Sequence, residues 1–164
     1  PGQIVLDYGQ PVWKDEYGKA LESDKLTGRR WRLGKDFWTT LDTNLALRVG
    51  DAELRPGSYY LTIEKTADGA FVLAFNNPEK IRKQKLDAFV ASRTKGGIEV
   101  ELKHKQVDEV AGQLEIGLKT SEEDNSKGKL WVHFGPHVLY APVQTHIYAS
   151  KSKKSKKSKA EYKY

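Results

Sequence analysis

Arg32, Asp36 and a handful of aromatic and imidazole side chains are the residues here whose types and spacing could do chemistry. Arg32 lies four positions before Asp36. A guanidinium fork grips a carboxylate or phosphate through two parallel hydrogen bonds, so the pair could line a cleft that holds an anion. The plainer reading is a buried Arg32 neutralised by Asp36 or Asp42, because a buried charge needs a partner. His133 and His137 flank Gly135-Pro136, and a turn there would let them meet across a hairpin as weak metal-ligand candidates. Zinc would require a third ligand and supporting partners for each imidazole. Trp13, Phe37 and Trp38 sit in stretches that read as loops, where exposed rings could contact a glycan or a protein surface. Trp31 and Trp131 fall in strand patterns, with Trp31 expected in the core. Glu122-Glu123-Asp124 reads as a solvated charged loop.

The chain has no Cys, which excludes disulfides, thiolate nucleophiles and Cys-ligated zinc. It contains no G-x-S-x-G elbow, no phosphate-binding glycine loop, no H-E-x-x-H and no dinucleotide fingerprint. No cofactor is implied.

The elements that must position these residues are strands. Leu45, Leu47 and Val49 alternate with Ala46 and Arg48, the period of a half-buried strand. Ala52 to Leu54 is an edge piece. Pro56-Gly57 supplies a turn, with Gly accepting positive φ. Tyr59, Leu61 and Ile63 form the apolar side of the next strand, and Asp68-Gly69 closes a hairpin onto Phe71 to Phe75. That last run is apolar on both faces and belongs at the sheet centre. Asn77-Pro78 is a helix start, predicting a helix over 79–92 with Leu86, Phe89 and Val90 on one side. Val12 to Gly28 is expected to be a long loop with a short strand near 19–21. Ile98 to Leu102 and Leu114 to Leu118 are two amphipathic strands joined by a crossover at Val107 to Gly112. Leu130, Val132 and Phe134 line a further strand that turns at Gly135-Pro136, before a last strand ending near Ile147. The whole predicts an all-β fold. It would be a jelly-roll-like β-sandwich of about nine strands with one helical insertion.

The order Trp31-Arg32-Leu33-Gly34, Thr39-Thr40, an alternating strand ending in Gly, then Leu54-Arg55-Pro56-Gly57-Ser58-Tyr59-Tyr60-Leu61 resembles a bacterial family of domain-of-unknown-function proteins. That family reads W-R-x-G-A-N-x-x-T and then L-P-A-G-x-Y-x-L. Ile4 to Pro11 is similar to its opening strand and Y-G-x-P turn, and Leu130 to Val143 to its closing strands. The likeness spans roughly residues 3 to 147. Its members typically carry secretory signals and no activity is established for them. The resemblance therefore implies a periplasmic or secreted protein whose signal peptide lay upstream of Pro1. The chain departs from the pattern at Lys35-Asp36, where the family has Ala-Asn.

The formal charge of +6 is unevenly placed. Residues 151–164 hold seven Lys and one Glu, a net of +6, which leaves 21 basic and 21 acidic residues in 1–150. The expected organisation is one sandwich domain over 1–150 and a disordered basic tail over 151–164. In that tail Lys151, Lys153, Lys154, Lys156, Lys157 and Lys159 could contact anionic polymers. No apolar run approaches a membrane span. The function expected is a non-catalytic binding or structural module. The alternative is a hydrolase-like enzyme with Arg32, Asp36 and His133 converging in a cleft.

Overall fold

The computed structural model describes residues 2–146. The readings made for the basic tail lie outside the described residues. The fold is all-β with a small helical insertion. Its strands are β1 (Ile4–Asp7), β2 (Arg30–Arg32), β3 (Thr40–Thr43), β4 (Ala46–Val49), β5 (Ala52–Leu54), β6 (Gly57–Lys65), β7 (Phe71–Asn76), β8 (Ile98–Thr120) and β9 (Lys127–His146). They form one open antiparallel sheet in the order β1-β3-β6-β7-β8-β9-β4-β5, with β2 added beside β6.

Two long strands make this sheet close over itself. The first part of β8 pairs with β7 and the rest with β9, while the last part of β9 pairs with β4. The two halves thus share strands and enclose one apolar cluster. Leu41, Leu61, Ile63 and Phe75 come from one half, and Leu47, Leu54, Val132 and Val143 from the other. β7 is central and almost wholly buried, as its two-sided apolarity requires. The edge position of β5 and the hairpin at Asp68-Gly69 also match the pattern in the sequence.

Four readings differ from expectation. Gly135-Pro136 is not a turn and Val107 to Gly112 is not a crossover: both lie inside continuous strands. Gly135, at φ 58°, stands opposite Ala111 where the register shifts, so these breaker residues serve a β-bulge. The 79–92 helix is instead α2 (Pro78–Lys83) and a 3-10 turn (Ala88–Arg93). Asn77 caps α2 through its side-chain oxygen, but Lys85 adopts φ 55°, which ends the helix, and Asp87 starts the next turn by accepting from Phe89 N–H. Phe89 is 76% exposed, while Ile81, Ala88 and Ala91 face the sheet. Finally, part of the expected loop after Val12 is a helix, α1 (Asp15–Glu22), followed by a 3-10 turn (Asp24–Leu26).

Candidate ligand-binding site

α1 is the key to the site. The segment before it is stitched to the bulged part of β8: Trp13 N–H donates to Gly112 C=O at 2.9 Å, and Leu114 N–H donates to Pro11 C=O at 3.0 Å. The Trp13 ring lies on Gly135, where an added Cβ would overlap it, and meets Phe134 edge-on at 5.0 Å. Tyr17 in α1 also reaches Phe134, at 5.8 Å between ring centroids. At the far end of α1, Lys65 Nζ donates to Leu21 C=O at 2.6 Å, satisfying a terminal carbonyl.

On the other side stands β2. Among the described residues it pairs with β6 alone, and no strand lies on its second edge. Trp31 is in register with buried Ile63 and packs against the core, whereas Arg30 and Arg32 take the opposite face. Between α1 and this edge lies a cavity of about 330 Å³ whose walls include Pro11, Tyr17, Leu21, Trp31, Leu114 and Phe134. A deeper cavity of about 80 Å³ shares the Leu21, Trp31, Leu114 and Phe134 walls and reaches Ile63 and Phe71 in the core. The walls are mostly apolar, with Tyr17, Arg32 and Lys35 as the polar side chains of the larger cavity and His137 of the deeper one, so the arrangement is suited to holding an apolar group.

Imidazoles mark one margin. His137 borders the deeper cavity, and its Nδ1 lies 3.0 Å from His104 Nε2, with the rings 5.2 Å apart. Both pKa values are lowered. Desolvation is the main cause for each. Lys65 adds to it for His104; His104 adds to it for His137, where Glu22 pulls the other way. This pairing corrects the expected one. His133 and His137 share strand β9 with no turn between them, and His133 Nε2 faces Glu109 C=O at 3.2 Å. Among the described residues no group of three or more His, Asp or Glu is placed to hold a metal.

The other residues singled out in the sequence are dispersed. Trp13 is half-buried in the ring cluster just described. Trp38 stacks on Tyr60 at 5.0 Å and 4°, and Tyr60 in turn accepts from Arg82 at 3.0 Å. Phe37 is exposed, in the loop between β2 and β3. Trp13 and Trp38 have no ring neighbour in common among the described residues. Asp36 is exposed and pairs with Lys35 at 3.6 Å, and Asp42 accepts from Ser58, so neither neutralises Arg32. No hydrogen bond or ion pair joins Arg32, Asp36 and His133 among the described residues.

The buried, neutralised arginine is Arg30. It donates to Gly96 C=O at 2.6 Å, pairs with Glu99, and lies 3.6 Å from Glu64. This ties β2 to the insertion and to β8, and it holds Trp31 and Arg32 in place. Alternation along Arg30-Trp31-Arg32 put both arginines on one face, but the carboxylates that choose between them come from β6 and β8.

The profile of a family described as protein of unknown function (DUF2911) matches residues 2–135. The chain belongs to the DUF2911 family. The matched residues include α1, β2 and the wall residues Leu114 and Phe134, so the candidate site falls within the DUF2911 match. No curated protein and no solved structure matches the chain. No helix among the described residues is long and apolar enough to cross a membrane.

Proposed function

We propose that this DUF2911 protein is a non-catalytic binding module that takes a small apolar ligand between α1 and the edge of β2. The observation that carries this reading is the apolar cavity of about 330 Å³. Its size falls within the about 300–1,000 Å³ range of small-molecule sites, and its composition is theirs too. The deeper cavity of about 80 Å³ behind it gives room for the end of a chain or a ring substituent. The family resemblance supports a location outside the cytoplasm, which fractionation of the native host would check.

An uncharged naphthylamine dye, whose emission rises in apolar surroundings, tests the reading. It should bind saturably with a stoichiometry of one. Ala20 borders the cavity from α1, so Ala20→Phe should fill the space and abolish dye binding while leaving the unfolding midpoint in place or higher. Dye binding unchanged in Ala20→Phe would overturn the assignment.

A further inference from the structure

Arg32 has an unusual position. Its guanidinium carries five N–H donors. Among the described residues it makes no hydrogen bond and no ion pair, and Nη1 is buried without a partner. The guanidinium lies over the Phe89 ring, 4.7 Å from its centroid. A buried cationic donor left unmatched is costly. Four acids are already engaged elsewhere: Glu64 and Glu99 by Arg30, Asp36 by Lys35, and Asp42 by Ser58. Arg29, exposed and bordering the same outer cleft, has no side-chain hydrogen bond or ion pair among the described residues either. Among the described residues no carboxylate is ion-paired with Arg32 or Arg29.

Arg32 also stands where two hollows meet. It borders the apolar cavity beside α1, and it borders a second cleft of about 320 Å³ on the outer face, walled by Arg29, Ala88, Phe89 and Ser92. Leu26 and Trp31 are common to both. A molecule lying across this junction would put an apolar portion against Trp31 and a polar end against Arg32.

We infer that the ligand is an apolar acid, its oxyanion head taken by Arg32 and its apolar portion by the cavity beside α1. This rests on the cavity being a ligand site. A carboxylate or a phosphate monoester would fit the guanidinium fork, and both would supply the missing acceptor and the missing charge. Phe89 holds the guanidinium plane from one side, which limits the entropy lost on binding.

The test titrates the full chain with decanoate, decyl phosphate and decanol, following tryptophan emission, since Trp31 lines both hollows. One or both acids should bind about tenfold or more tightly than decanol, the usual worth of hydrogen bonds to a charged group. The tighter acid identifies the head group. Arg32→Gln should erase that preference while decanol binding persists, which also shows that the variant is folded. Arg32→Lys, keeping charge without the fork, should recover part of it. Decanol binding as well as either acid in the unaltered chain, with Arg32→Gln indifferent, overturns the inference and leaves the pocket reading intact. Failure of all three ligands to bind removes both.

Discussion

Gly135→Ala tests how α1 is held over the site. Gly135 sits at φ 58°, in the left-handed region, so any side chain there is strained by about 1–2 kcal/mol. A second cost is local: the new Cβ would overlap the Trp13 ring, which must move. Moving it sacrifices the edge-on contact with Phe134 at 5.0 Å, worth about 0.5–1.5 kcal/mol beyond area burial. Gly135→Ala should therefore cost about 2–3 kcal/mol, or about 5–10 °C in midpoint for a chain this long. Trp13→Ala alone should cost about 2 kcal/mol, below the range for a fully buried ring because Trp13 is half-exposed. The decisive step is the double mutant. With the indole gone, Gly135→Ala should cost only its backbone strain, giving a coupling of about 1 kcal/mol in a urea-unfolding cycle. Equal costs in the two backgrounds, within the about 0.5 kcal/mol expected of independent sites, would refute the idea that Trp13 is seated on Gly135.

Arg30→Met should cost about 2–3 kcal/mol by urea unfolding, because it leaves Gly96 C=O and Glu99 unmatched; the value is reduced from that of a fully buried pair since Glu99 is half-exposed. A loss under about 0.5 kcal/mol would show that β2 and the insertion are held by something else. Asn76→Asp should be worse than Asn76→Ala, since Asn76 Nδ2 donates to Tyr60 C=O, Thr62 Oγ1 and Ala74 C=O and a carboxylate would face the two carbonyl oxygens. The reverse order in thermal midpoints would contradict the hydrogen-bond assignment. For pH, His104 and His137 are both held below the ordinary imidazole pKa, so the unfolded chain takes up protons first. Their contribution to stability is complete above about pH 6.5 and is lost as pH falls below it. The midpoint should drop on acidification from about pH 7.5 to about pH 5.5, and less so in His104→Gln. A midpoint that rises over that interval would reverse the sign argued here.

The strands were readable because their alternation is a local property. Leu47 and Val49 point inward and Arg48 outward whatever the partner strand is, and Asp68-Gly69 and Asn77-Pro78 carry their own turn and cap chemistry. The site was less readable because its parts are set by distant contacts. α1 contains Gly18 and a mostly polar sequence, and Tyr17 and Leu21 become a half-buried side only where Trp13 and β9 meet them. Gly112 and Gly135-Pro136 look like chain breaks, yet a bulge needs the same residues without ending a strand. The motif around Trp31 did point to β2, the strand beside the proposed site. It could not tell Arg30 from Arg32, because Glu64 and Glu99, which neutralise one and leave the other, lie far along the chain.

Methyl NMR of the full chain during a titration with decanol tests the central claim most directly. Leu21, Leu33 and Leu114 border the cavity beside α1, whereas Leu47, Leu54 and Val143 belong to the same core away from it. Saturable shifts confined to the first three would place the ligand where the account puts it. Shifts spread evenly over both sets, or none at a concentration that saturates the dye site, would contradict it.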